Sequence, residues 1–89
     1  MFITVLHDIS NQNEFFGKAD EVVNKVPEGI KPLQFFPSND GKQAVCLWEA
    51  KSVDAVKDYL EPKIGTIAKN TYYAVNSEAA MGLPSPVHQ

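Results

Sequence analysis

Gln43-Ala44-Val45-Cys46-Leu47-Trp48-Glu49-Ala50 is the stretch that decides the architecture. It has the length and residue types of a β-strand, whose side chains alternate between two faces. Ala44, Cys46 and Trp48 share one face, and Val45 and Leu47 share the other. Both sets are apolar until Glu49. A strand with one wet face alternates apolar and polar residues, so this strand is expected to be covered on both sides. In a chain of 89 residues, the expected covers are its own helices on one face and a second copy of the chain on the other.

Upstream, Pro37-Ser38-Asn39-Asp40-Gly41-Lys42 is a polar turn with an Asp-Gly hairpin signal. It ties the central strand to a strand over 30–36, where Pro32 points to a sheet edge because proline cannot donate to a ladder. Before that, Phe15, Ala19, Val22, Val23 and Val26 form a helical stripe. Asn11 is its expected N-cap with Glu14 as capping partner, and Pro27-Glu28-Gly29 stops it. Residues 2–7 are a first strand. Downstream, Ser52 caps a second helix with Asp54 in its first turn. Val53, Val56 and Leu60 form its buried stripe beside Tyr59, and Pro62 is expected to end or kink it. Residues 63–69 read as a loop and 71–75 as a fourth strand.

The order is β-α-β-β-α-β, the split βαβ or ferredoxin-like unit. The expected fold is α+β, with a four-stranded antiparallel sheet of spatial order 4-1-3-2. Residues 1–76 form the domain. Residues 77–89 form a tail that is partly docked, its first half a short helix and its end mobile.

Composition narrows the function. The apolar share of 44% and charged share of 21% suit a soluble globular domain. A net charge of −3 with scattered lysines argues against nucleic acid. Arginine is absent, which disfavours multiply anionic substrates. One cysteine excludes an intramolecular disulfide and fits a reducing compartment. No run approaches the ~20 apolar residues of a membrane span, and the first residues lack a signal-peptide pattern. The expectation is a cytoplasmic protein. No phosphate loop, nucleophile elbow or zinc spacing occurs, so no cofactor is expected.

Taking strands one and three as parallel neighbours brings their C-terminal ends to one sheet edge. That places His7 beside Trp48 and Glu49, with Lys31 and Tyr72 or Tyr73 arriving from strands two and four. His7 is then the expected acid/base, with Glu49 orienting it and raising its pKa. Trp48, Tyr72 and Cys46 are the expected ligand walls. A one-residue slip would move each side chain to the other face.

The Thr4-Val5-Leu6-His7 ending, Cys46-Leu47-Trp48-Glu49-Ala50, Ser52-Val53-Asp54-Ala55-Val56 and Tyr72-Tyr73-Ala74-Val75 carry a resemblance in pattern. The chain is similar over residues 1–75 to the dimeric α/β-barrel superfamily. That superfamily includes antibiotic-biosynthesis monooxygenases, muconolactone isomerase-like and YCII-like proteins, and small bacterial nickel-binding proteins. The resemblance implies a homodimer with a cavity between sheet and helices or between two sheets. Three functions follow as expectations. The leading one is binding of a small, largely apolar molecule. The second is cofactor-independent monooxygenase or isomerase chemistry at His7. The third is metal binding by His7 with Glu49 or His88.

Overall fold

The computed structural model describes residues 1–84. Its elements are β1 (Phe2–Ile9), α1 (Gln12–Asn24), β2 (Ile30–Pro37), β3 (Gln43–Ala50), α2 (Val53–Ile64) and β4 (Ala68–Ala74). Both helix starts are set by side-chain caps. The Asn11 side-chain oxygen accepts from the Glu14 backbone N–H at 3.1 Å, and Ser52 Oγ accepts from that of Ala55 at 3.1 Å. Each cap satisfies a donor that the first helical turn leaves without a partner. In the β2–β3 turn, Asp40 Oδ1 accepts from the Lys42 N–H at 2.9 Å, and Gly41 takes φ of 75°. A residue with a Cβ is strained there.

The four strands form one sheet of order β2-β3-β1-β4 with antiparallel pairing throughout. This is the ferredoxin-like fold. The edge position of β2 accommodates Pro32. One topological expectation is corrected. β1 and β3 are antiparallel neighbours, with Phe2 opposite Glu49 and His7 opposite Ala44. The reason is the hairpin. The α1 crossover returns β2 in the direction of β1, so β3, joined to β2 by a tight turn, must run against both.

Two boundaries also shift. α2 continues through Pro62 to Ile64, and the Gly65 N–H still donates to the Glu61 carbonyl at 2.9 Å. Proline there forfeits one helical hydrogen bond, while Leu60, Ile64 and Ile67 are all buried. Their burial anchors both the last turn and the connection beyond it. β4 accordingly begins at Ala68, inside the segment expected to be a loop.

Alternation divides the sheet into two faces. Ile3, Val5, His7, Ala44, Cys46, Trp48, Ala50 and Ala68 lie under the helices and are buried with Phe15, Val22, Val56 and Leu60. The other face carries Thr4, Leu6, Val45, Leu47 and Tyr73. Part of it is covered by the chain's own tail. The Ala79 and Ala80 N–H groups donate to the Asn76 carbonyl at 3.2 and 3.0 Å. That turn sets Ala79, Ala80 and Leu83 in a groove with Thr4, Val45, Leu47 and Tyr73. Thr4 and Leu47 are buried, whereas Leu6, Phe36 and Tyr73 stay exposed.

Candidate functional site

The helical face does not close completely. A cavity of about 370 Å³ opens between α1 and the β2–β3 half of the sheet. Phe15, Ala19, Val22 and Val23 of α1 form its roof, and Pro32, Leu33 and Phe35 of β2 form a wall. Leu60 and Ile64 of α2 complete the carbon lining. At its rim Val23 and Phe35 are each 39% exposed, so apolar surface faces water at the entrance. No lysine lies among the lining residues. The polar groups are Gln34 on the β2 wall and, in the sheet floor, His7 of β1 with Cys46 and Trp48 of β3.

These side chains belong to one hydrogen-bonded chain that fixes the state of His7. Glu61 Oε2 accepts from Tyr72 O–H at 2.5 Å and from Asn70 Nδ2–H at 2.9 Å. A carboxylate only accepts, so the Asn70 amide turns its nitrogen toward Glu61 and its oxygen toward His7. Asn70 Oδ1 lies 2.6 Å from His7 Nδ1, which must therefore carry the proton. Nε2 is then the bare nitrogen. It sits 3.0 Å from Cys46 Sγ and accepts from the thiol. Trp48 Nε1–H donates to the same sulfur at 3.0 Å. A glutamate on α2 thus selects the histidine tautomer through one asparagine. No buried side-chain polar atom among the described residues lacks a partner.

Burial sets the charges. His7 is buried, its ring edge-on to Phe15 at 5.1 Å between centroids. Desolvation pulls its pKa down, opposed by the Asn70 hydrogen bond and the Glu61 charge. Burial pushes the Cys46 thiol up to about 11, against the Trp48 hydrogen bond. Both groups therefore rest neutral at pH 7. Glu61 is held below its ordinary range by hydrogen bonds from Tyr72 and Asn70, and Tyr72 is raised by burial and by Glu61.

The structure brings together His7, Cys46 and Trp48 of the residues expected at a site. It separates Glu49. In the strand register Glu49 stands opposite Phe2 and Lys31, five residues along β1 from His7 and on the opposite face. At ~3.4 Å per strand residue this is about 17 Å. Glu49 therefore cannot orient His7, and the expected rise in histidine pKa is replaced by a fall. Tyr72 is not part of the cavity wall; its hydroxyl anchors the far end of the network. His88 lies outside the described residues. Among the described residues there is no cluster of three or more His, Cys, Asp or Glu able to hold a metal.

Sequence reasoning missed Asn70 and Glu61. Asn70 lies directly opposite His7. Extending the Tyr72 alternation two residues back would have placed it on the helical face. Glu61 had no local signal, because its role depends on how α2 lies across β4. Comparison of the chain with family models, with curated proteins and with solved structures returned no match.

Proposed function

We propose that the chain is a homodimeric protein of the dimeric α/β-barrel type that binds a small, neutral, largely apolar molecule. The observation that carries this reading is the cavity of about 370 Å³, largely carbon-lined apart from Gln34 on the β2 wall and a floor of His7, Cys46 and Trp48. Its volume is within the range of small-molecule sites, which pair an apolar wall with a few convergent polar groups. The absence of cationic lining favours an uncharged ligand. The exposed Leu6, Phe36 and Tyr73 on the open sheet face support pairing of two copies there, and the single free thiol supports a cytoplasmic setting.

Trp48 is the only tryptophan, so its fluorescence reports directly on the floor. Titration with benzylacetone, a neutral aromatic ketone, is expected to give a saturable change with Kd below about 1 mM. Ala19→Phe, which fills the cavity from its roof, is expected to abolish it, while Asn39→Ala in the distant turn leaves it intact. Linear, non-saturating quenching by benzylacetone would defeat the proposal.

A second reading is cofactor-independent proton transfer with His7 as the acid/base. It is favoured by the bare Nε2 at the cavity floor, since a general base must reach its proton within hydrogen-bond distance. Turnover lost in His7→Gln with benzylacetone binding retained would distinguish this enzyme from a binder.

A further inference from the structure

Cys46, His7 and Asn70 stand in the order nucleophile, base and orienter. Sγ is 3.0 Å from Nε2, and Nδ1 is 2.6 Å from Oδ1. The same three residue types in the same roles activate cysteine nucleophiles on unrelated folds. Here the sulfur is at the floor of the apolar cavity, and the Trp48 indole N–H donates to it at 3.0 Å. We infer that Cys46 is a reactive thiol that captures neutral, apolar α,β-unsaturated carbonyl compounds by conjugate addition, with His7 carrying the proton. This rests on the cavity being a small-molecule site.

The chemistry closes within these residues. Sγ attacks the β-carbon as the C=C π bond opens, and the thiol proton passes to Nε2. The electron pair released from the π bond forms the enolate. Nε2 then returns the same proton to the α-carbon. One S–C bond and one C–H bond form, nothing leaves, and no oxidant or second substrate is needed. Acyl transfer fits less well, because it requires donors aimed at a tetrahedral oxyanion. Cys46 sits in the middle of a strand paired on both sides, and the Trp48 N–H is committed to the sulfur. The developing thiolate is the species this site is arranged to stabilise, by the indole N–H on one side and the new imidazolium on the other.

The arrangement also sets a pH signature. The titratable groups around His7 are Cys46 on β3, Glu61 on α2 and Tyr72 on β4, while α1 presents the Phe15 ring. A bare buried thiol with a pKa near 11 would react tenfold faster for each unit of rising pH up to that value. A thiol deprotonated by His7 during attack reacts at a constant rate once the imidazole is neutral, which in this site holds across pH 7–9.

The test uses the full-length protein with benzylideneacetone, an aromatic enone, followed by intact-mass spectrometry and peptide mapping. The expected product is a single adduct on Cys46 retaining the full mass of the enone, which separates it from a lysine imine that has lost water. Its rate is expected to be flat from pH 7 to 9 and to fall by about a hundredfold or more in His7→Gln, the lower range for loss of a positioned base. Asn70→Ala, which frees the Nδ1 proton, is expected to bend the flat profile while preserving the Cys46 adduct. A rate that climbs tenfold per pH unit in the unmodified chain would overturn the inference without reliance on any variant. Benzylacetone, the saturated analogue, separates the two proposals. If it binds and the enone gives no adduct, the reactive thiol is wrong and the binding site stands. If neither compound enters, both fall.

Discussion

His7 shows how one residue acquires a role from three others. Its identity was enough to single it out, but its state was not legible in the sequence. The tautomer depends on Asn70, and Asn70 depends on Glu61, an α2 residue 54 positions from His7 in the chain and joined to it through β4. Cys46 was legible as an apolar strand residue and a cavity wall. Its contact with His7 follows from antiparallel register, which no local pattern encodes. Burial lowers the His7 pKa, so the native state holds fewer protons than the unfolded chain between the folded pKa and about 6.5. Stability from this residue is therefore full above about pH 6.5 and is lost as pH falls through the folded value. Thermal melts from pH 8 to 5 are expected to show this decline, and His7→Gln to flatten it. A histidine whose removal steepens the decline would contradict the network.

At the scale of the elements, local chemistry was the legible part. Asn11, Ser52 and the Asp40-Gly41 turn act on their immediate neighbours, and all three do what their residue types dictate. The errors came where distant burial overrides local preference. Proline at 62 reads as an end or a kink with a loop over 63–69, yet Ile64 and Ile67 are buried and hold the helix and its exit in place. The misplaced loop hid the start of β4 and with it Asn70. These origins separate in size. Ser52→Ala removes one cap and is expected to cost about 1 kcal/mol. Leu60→Ala opens a void in a residue that is 1% exposed and is expected to cost about 2–5 kcal/mol. Urea denaturation of the two variants measures both, and equal losses would show that α2 is not held mainly by packing.

For the whole molecule, the two apolar faces of β3 point to helices over one and a second copy of the chain over the other. The helical cover is present, and the tail lies over Thr4 and Leu47 on the other side. Leu6, Phe36 and Tyr73 remain exposed beyond it, and they are the surface on which pairing would act. Sedimentation equilibrium at tens of micromolar, an ordinary range for dimers, is expected to give twice the chain mass, and Phe36→Asp to give a monomer. None of Leu6, Phe36 and Tyr73 lines the cavity on the helical side, so ligand binding within one subunit and pairing of subunits are expected to be independent. Backbone amide NMR during titration with benzylacetone shows which face of the sheet the ligand occupies. Shifts are expected to concentrate at Phe15, Val22, Cys46 and Trp48, with Leu6, Val45 and Tyr73 unmoved. Shifts confined to Leu6, Val45 and Tyr73 would place the ligand on the open sheet face and contradict the cavity as the binding site.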